Sequence, residues 1–433
     1  MSSVAPATAP TATPPRIATW LPPVRFGAVD DRVVRRRIGV IWALLFFNVM
    51  SYAKQETIFP IPSVLGKILT QGALALAFVL ALTVNRKLVV RPNTFLVLAS
   101  ILAVAALMVS IRDEVSIIGS DYRAVRLIVF VSVLWLLTPW WGRKDMFLMR
   151  CQLRALYIVL GMVLVGLLID PGKALAFQGR LQGTIWPIPA TQVAHYAAVT
   201  GGMTAVLWFA GLLRRNAAAV MFLCSVVVLL LTHTRTALVA MLIAILVAAL
   251  SLFTGRKRVR KVLATFAVVA LLSGVVLLPA LTHWFSRGQS TQELSQLTGR
   301  TIVWTELIHT PQPIDNVIFG NGLSNNSFNG LPIDDSWLSV YEDQGLLGDL
   351  ICGLIMLSLL LIAAFKPRGP AKALALFLLV YCLIASVTET GLGQASTYML
   401  DLATAAALLM PGAPGLLSGR RGLEGPPGGL EPA

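Results

Sequence analysis

The sequence predicts an all-α integral membrane protein with about twelve transmembrane helices and one large extracytoplasmic loop. Of its 433 residues, 56% are hydrophobic and 13% are charged, and the mean hydropathy is +0.77. Apolar stretches recur along the chain, each close to the ~20 residues that a helix needs to cross ~30 Å of hydrocarbon. Polar and apolar residues do not alternate within these stretches, which favours helices over a transmembrane β-barrel.

The two ends of the chain are predicted to be flexible cytoplasmic tails. Residues 1–37 begin with MSSVAPATAPTATPPR, which is rich in Pro, Ala and Thr and lacks the apolar core of a secretory signal. Residues 411–433 end in SGRRGLEGPPGGLEPA, a sequence rich in Gly and Pro. The four cysteines form no CxxC pair and no metal-binding spacing, so neither a disulfide nor a zinc site is expected.

The apolar segments between the tails divide into two groups. Residues 38–281 are predicted to hold spans 1–9, and residues 346–410 are predicted to hold spans 10–12. Residues 282–345 form the large loop between spans 9 and 10. The predicted spans are 38–53, 68–84, 94–111, 125–141, 152–169, 190–213, 217–232, 236–253, 261–281, 346–365, 371–387 and 395–410.

The positions of Lys and Arg predict the orientation of the spans. With the amino terminus in the cytoplasm, every inner segment is basic, and these segments hold 25 of the 35 basic residues. Fifteen of the 20 acidic residues fall on the outer side. The protein is therefore expected in the plasma (inner) membrane. Its net charge of +15 indicates anchoring at the inner leaflet rather than nucleic acid binding.

The outer side contains the long connections, so function that needs a soluble surface is expected there. In the large loop, residues 297–309 are predicted to be helical, with Ile302, Leu307 and the pair Trp304 and Ile308 on an apolar side. A turn-rich segment follows. A second helix is then expected to begin at Asp334 or Asp335 and to run into span 10.

Three outer arginines are candidates for binding a phosphorylated ligand: Arg180 in RLQG, Arg235 in THTR and Arg300 in TGRTIVW. A guanidinium contacts phosphate oxygens in a bidentate manner, and two or three together suit a diphosphate. Arg300 also lies near a predicted helix N-terminus, where backbone N–H groups attract anions. Alternatively, each arginine pairs with an outer carboxylate, and Arg235 extends to lipid phosphates.

The outer carboxylates supply a candidate general base. One of Asp334 and Asp335 is expected to cap the following helix, and the other is then available to accept a proton. The sequence contains no phosphate loop, dinucleotide fingerprint or HExxH motif, so no cofactor and no metal site are predicted. Asp401 is a charged residue inside span 12, which keeps a transporter or flippase as a further alternative.

Five sequence elements in this order resemble the motifs of the O-antigen ligase and polymerase family of bacterial membrane glycosyltransferases. The resemblance covers residues 170–365 and the general plan of twelve spans. Asp334 stands where the ligases carry His, and this departure favours the polymerase members. The five elements are RLQG, THTRTALVA, TGRTIVW, IFGNGLSNNSF and DDSWLSVYEDQGLLG.

The resemblance implies that the protein polymerises isoprenoid-diphosphate-linked oligosaccharide repeat units into a surface polysaccharide at the outer, periplasmic or extracellular face of the membrane. The three arginines would bind the diphosphate, and Arg300 would also stabilise the leaving group. Asp334 or Asp335 would orient or deprotonate the acceptor hydroxyl, and Trp304 and Trp337 would stack on sugar rings.

The implied partners are the lipid-linked oligosaccharide, an acceptor glycan and membrane lipid, without nucleic acid. The alternative within the same family is ligase-type transfer of the lipid-linked glycan to a lipid, protein or wall acceptor.

Overall fold

The computed structural model of the chain is mostly helical. It describes residues 31–52, 56–112, 119–253, 259–262, 264–265, 300–323 and 327–412. Most of the predicted amino-terminal tail, nearly all of the predicted carboxy-terminal tail, most of the ninth predicted span and the first part of the large loop lie outside these residues.

The helices and the one short hairpin of the described residues follow the chain in this order: α1 Asp31–Val49, α2 Ser63–Val84, α3 Thr94–Arg112, α4 Ser120–Leu137 with a 3-10 turn Thr138–Trp140, α5 Phe147–Ile169, α6 Pro171–Ala174, α7 Ala190–Phe209, α8 Arg215–Leu231, α9 Arg235–Leu252, α10 Arg300–His309, α11 Ile314–Phe319, β1 Ser327–Phe328, β2 Leu331–Pro332, α12 Ser336–Phe365, α13 Pro370–Ala385 and α14 Thr397–Leu409.

The all-α membrane class is confirmed by these helices. Each predicted span except the ninth coincides with a helix of the described residues. Within the part of the chain that the structure describes, six helices are long and apolar enough to cross a membrane, namely α2, α3, α4 with its 3-10 turn, α5, α9 and α12. Helices α8, α13 and α14 are apolar but shorter. The total of twelve spans stays a prediction.

The start of α1 differs from its prediction. Helix α1 begins at Asp31, so the predicted disordered tail 1–37 is too long at its carboxy-terminal end. The prediction of a tail depends on the Pro, Ala and Thr content of this stretch, and the arginines that close it were included. Arginine has a high helix propensity, however, and its long side chain carries the charge away from a helix that continues into the bundle.

The centre of the bundle is formed by α7, α9, α13 and α14. Helix α13 packs against α9, α14 and α7. The described side chains of α14 from Thr397 to Leu409 are all buried. Small residues allow the close approach of these helices. Gly202 of α7, for example, lies so close to the ring of Phe377 of α13 that a Cβ there would overlap it.

The outer surface of the bundle is apolar as well. Large aliphatic side chains such as Leu168, Met108 and Leu223 are 82%, 68% and 63% exposed, respectively. A water-soluble protein rarely exposes so many apolar side chains on helices of this length. The exposure of these side chains is consistent with a lipid environment around the bundle.

A buried polar network joins four helices inside the bundle. The Asp401 carboxylate is hydrogen-bonded to His195 Nε2 at 3.0 Å and accepts a hydrogen bond from Gln152 Nε2 at 2.7 Å. Trp42 Nε1 donates to Gln152 Oε1 at 2.9 Å. Asp401, the charge that kept a transporter in consideration, therefore has partners on α5 and α7 and serves to connect α14 to them.

The helix ends meet in two groups at opposite ends of the bundle. At one end, which we call the basic end, Arg91 Nη1 donates to Trp141 O at 3.1 Å, and Lys366 Nζ donates to Leu409 O at 2.8 Å. At the other, the loop end, Ser336 N donates to Ser386 O at 2.8 Å. The loop end gathers the connections that the charge pattern predicts to be extracytoplasmic, while their sidedness stays a prediction.

Candidate functional site

Helix α10 is held at the loop end by a small apolar cluster. Val303 and Leu307 are buried together with Ile333, and Phe328 and Leu338 pack against them. The cluster joins α10 to the hairpin and to the first turn of α12. It therefore sets the position of Arg300, the first residue of α10.

The predicted apolar side of α10 is partly wrong. Leu307 is buried as expected, but Ile302 and Ile308 are 59% and 61% exposed. The inward face is instead formed by Val303 and Leu307, which are four positions apart and therefore lie one above the other on a helix. A ten-residue helix with apolar residues on two sides does not reveal by its sequence which side will be covered.

Arg300 and Asp334 form an ion pair at the loop end. Arg300 Nε donates to Asp334 Oδ2 at 3.1 Å, and the two side chains are 23% and 43% exposed. The alternative that an outer arginine pairs with a carboxylate thus applies to Arg300. Because the pair is partly open to solvent, a ligand can reach both partners.

Asp335 is the residue that caps α12. Its Oδ1 accepts from Leu338 N at 2.8 Å, as one of the two aspartates was expected to do. Burial raises the pKa of Asp335 above its ordinary value, against the hydrogen bonds from the backbone of Leu338 and Trp337 and the charge of Arg300. Of the two candidate bases, Asp335 is therefore the one engaged by the backbone.

Arg180 is directed towards the turn between α8 and α9. Its Nε donates to Thr232 O at 3.0 Å and its Nη2 to Thr234 Oγ1 at 3.2 Å. Arg235 is the first residue of α9, directly after Thr234. Arg180 also interacts electrostatically with Arg300. The structure therefore holds Arg180 against the turn that directly precedes Arg235.

The turn before α9 and helix α10 belong to a region that matches a known family. Residues 220–343 match the family model described as O-antigen ligase. This match over 124 of the 433 residues supports an assignment to the O-antigen ligase family. No curated protein matches the chain at a significant level. The matched region begins in α8 and ends in α12, and it includes Arg235, Arg300, Asp334 and Asp335 but not Arg180.

Two glycines inside or next to this O-antigen ligase region place α11 against α12. Gly320 has φ +85° and Gly345 has φ +65°. A Cβ on Gly345 would lie 2.3 Å from Ile318 O, and one on Gly320 would lie 2.3 Å from Gln344 N. The two backbones can approach this closely only without side chains at these positions.

The interruption of α12 at Gly345 releases backbone carbonyls from the helix. Glu342 O accepts from Asn321 N at 2.9 Å, and Asp343 O accepts from Gly322 N at 3.0 Å. Carbonyls that lose their partners in the helix thus bind the turn after α11. This turn contains the IFGNG motif, and α12 contains QGLLG, so the two motifs are in contact.

The two candidate sugar-stacking residues differ in their surroundings. Trp337 packs partly against the main core, and its Nε1 donates to Ser386 Oγ at 3.1 Å. Trp304 lies one turn after Arg300 on α10 and is partly exposed. Its Nε1 has no hydrogen-bond partner among the described residues. Both indoles lie at the loop end, and both are half-buried. The Nε1 atom of Trp304 is a buried donor, whereas that of Trp337 is paired.

Sequence reasoning did not single out Glu389, which the structure adds to this site. It lies in the segment 386–396 between α13 and α14, and its main-chain O accepts from Ser336 Oγ at 2.6 Å. The residues whose charges affect the pKa of its carboxyl include Arg300, Asp334 and Arg180. Its sequence, SVTETGLGQAS, shows only an acidic residue after an outer span end, which other outer acids share.

The site therefore combines cationic and acidic side chains from four separate parts of the chain. Among the residues that the structure describes, no group of three His, Cys, Asp or Glu side chains is arranged to hold a metal ion. Arginines can bind an anion, and carboxylates next to them can accept a proton from a neutral hydroxyl. The described site has the groups needed for transfer from a phosphorylated donor.

Proposed function

We propose that this protein transfers a glycan from an isoprenoid diphosphate carrier to an acceptor hydroxyl at the outer face of the plasma membrane, and that it extends repeat units into a surface polysaccharide. The observation that carries the proposal is the proximity of Arg180 and Arg300. These residues come from segments distant in sequence and interact electrostatically at the loop end. Assignment to the O-antigen ligase family supports the same class of reaction.

The repulsion between the two guanidinium groups supports an anionic ligand. Burial lowers the pKa of Arg180, and the charge of Arg300 lowers it further. Two cations held near each other are unfavourable unless an anion compensates them. Asp334 and Glu389 provide part of this compensation. A diphosphate would add two or more negative charges and would bind both guanidinium groups, with Arg235 joining from the start of α9.

The proposed reaction is a direct displacement. The acceptor oxygen attacks the anomeric carbon, and the bond from that carbon to the diphosphate oxygen breaks. The bonding electron pair stays on the diphosphate, where the arginines stabilise the developing charge. Donors of this kind, held in place in advance, contribute about 3 kcal/mol each in other enzymes. Trp304 and Trp337 would contact the sugar rings.

The two aspartates receive different roles in this proposal. Asp334 orients Arg300 through their ion pair and has an exposed carboxylate that can contact the acceptor. Asp335 holds the first turn of α12, which contains Trp337, through its cap. Substitution of Asp335 is therefore expected to disturb the site by displacing the first turn of α12.

Extension of repeat units is tested with purified protein in liposomes that contain only lipid-diphosphate repeat units. A ladder of lengthening products is expected for a polymerase. Product that forms only after a separate lipid, protein or wall acceptor is added would instead support ligase-type transfer. The ligase is the second candidate because the matching family model carries that description.

A further inference from the structure

We infer that Glu389 is the carboxylate that accepts the proton of the attacking acceptor hydroxyl. This inference rests on the proposed glycan transfer and specifies which group serves as its general base. Neither the sequence motifs nor the matched region 220–343 contains Glu389. Its assignment depends on its fixed position, its available carboxylate and the charges around it.

The backbone around Glu389 is fixed to the start of α12. Ser336 Oγ donates to Glu389 O at 2.6 Å, and Trp337 Nε1 donates to Ser386 Oγ at 3.1 Å. Further along the segment, Gln344 Nε2 donates to Gly393 O at 2.9 Å. A catalytic group must be held in place by its surroundings, and these bonds hold the segment 386–396 at both ends.

The carboxylate of Glu389 is available to a ligand. Within the described residues it makes no hydrogen bond and no ion pair, and only its main-chain oxygen is bonded. Residue Glu389 as a whole is half-buried. The other candidates are engaged, since Asp334 pairs with Arg300 and Asp335 caps α12.

The groups that face Glu389 come from several elements. The charges of Arg300, Asp334 and Arg180 act on Glu389, and Tyr381 of α13 and Tyr398 of α14 are within electrostatic range. Burial raises the pKa of Glu389 to about 7, although Arg300 and Arg180 lower it and Asp334 raises it further. A base with a pKa near the working pH combines a large deprotonated fraction with a useful affinity for the proton.

The proton transfer completes the displacement. The hydroxyl proton moves to a carboxylate oxygen of Glu389 while the hydroxyl oxygen forms its bond to the anomeric carbon. The diphosphate leaves with the electron pair of the broken bond. The products are the new glycoside, the lipid diphosphate and protonated Glu389, which then loses its proton to water.

The test compares Glu389→Gln and Glu389→Asp with wild type in the liposome assay between pH 5.5 and 8.5. Glu389→Gln is expected to lower kcat by about 100-fold or more, the typical effect of removing a general base, with little change in the KM for the donor. In wild type, kcat/KM should rise with pH through about 7, because only the deprotonated carboxylate accepts a proton. This rise should be absent in Glu389→Gln, while Glu389→Asp should keep it at reduced activity.

Glu306→Gln is the matched control, because Glu306 is an exposed loop-end glutamate whose carboxylate contacts Asn329. The Glu306→Gln variant should keep the wild-type rate of transfer and the wild-type pH profile. If wild type is active and Glu389→Gln keeps a rate within about five-fold of wild type, the inference is overturned but the proposed function is not. The same holds if Glu389→Gln keeps the rise in kcat/KM near pH 7. Wild type that transfers no glycan would overturn the proposed function and the inference with it. Thermal melting of each variant in detergent separates loss of chemistry from loss of fold, and the wild-type pH profile tests the inference without any variant.

Discussion

Arg300 and Asp334 are separated by 34 positions in the chain, and their side chains meet at 3.1 Å. At the scale of single residues, the site consists of such pairs, in which one group positions another. Asp334 holds Arg300, and Thr232 and Thr234 hold Arg180. An arginine held in one direction loses less conformational entropy when a diphosphate binds than a mobile side chain would lose.

Replacement of Arg300 is expected to affect transfer more than folding. Arg300→Ala should lower kcat/KM by about 100-fold or more, because one stabilising donor of the leaving group is lost. Arg300→Lys should recover only part of the activity, since an ammonium keeps the charge but not the planar fork. The measurement is initial-rate kinetics with a lipid-linked donor. Wild-type kcat/KM in Arg300→Ala would contradict the proposed binding site.

Asp401 is expected to act on stability rather than on chemistry. It is 1% exposed, and its removal in Asp401→Ala leaves His195 and Gln152 without their shared acceptor. Breaking a buried pair of this kind typically costs about 3 kcal/mol or more. Thermal unfolding in detergent should show a clear loss for Asp401→Ala and a much smaller one for Thr404→Ala. Thr404 lies on the same helix, and among the described residues its hydroxyl bonds only to Leu400 O of its own helix. Unchanged unfolding of Asp401→Ala would show that the network contributes little.

At the scale of elements, the site depends on how the short helices of the loop end are held against the long ones. Helix α10 is positioned by its apolar face, and α11 is positioned by the contact of Gly320 with Gly345. The break in α12 at Gly345 gives the part before it a direction of its own. That part carries Trp337 and is capped by Asp335, so the kink contributes to the geometry of the site.

The contact of these glycines predicts a large effect of a single methyl group. Gly345→Ala combines a left-handed backbone, which costs about 1–2 kcal/mol without glycine, with a Cβ 2.3 Å from Ile318 O. We expect lower thermal stability in detergent and a parallel loss of transfer. Gly353→Ala is the control, because a Cβ at Gly353 of the same helix meets no atom within 4 Å. It should be neutral or slightly stabilising, and equal effects of both substitutions would contradict the proposed role of the kink.

At the scale of the whole molecule, the bundle separates two chemically different ends. The basic end contains the segments that the charge pattern assigns to the cytoplasm, and the loop end contains the candidate site. The helices between them carry apolar residues inside and outside. A substrate with a long lipid tail and a charged, glycosylated head could therefore keep its tail in the bilayer while its head reaches the loop end.

The orientation of the bundle can be tested with two engineered cysteines. In a variant without the four native cysteines, Asp315→Cys at the loop end should react with a membrane-impermeant maleimide added to intact cells or spheroplasts. Lys87→Cys at the basic end should react only after the membrane is permeabilised. Both positions are exposed in the structure. The opposite labelling pattern would invert the model, and labelling of both from outside would contradict the separation of the two ends.

The sequence alone determined the class of the protein, the positions of most helices and the three candidate arginines. Hydropathy and charge are local properties, and they are sufficient to locate a span and to predict which of its ends faces the cytoplasm. The helix that begins at the Asp334–Asp335 pair was also predictable, because a capping residue and the helix it caps are neighbours in the chain.

Only the tertiary structure decided which of these residues lie together. It showed that Asp335 caps α12 while Asp334 pairs with Arg300, that Val303 rather than Ile302 faces inward, and that the main chain of Glu389 is bonded to Ser336. Each of these outcomes depends on contacts between segments that lie far apart in the chain. Such contacts are set by the packing of whole helices against one another, and no local pattern of residues contains that information.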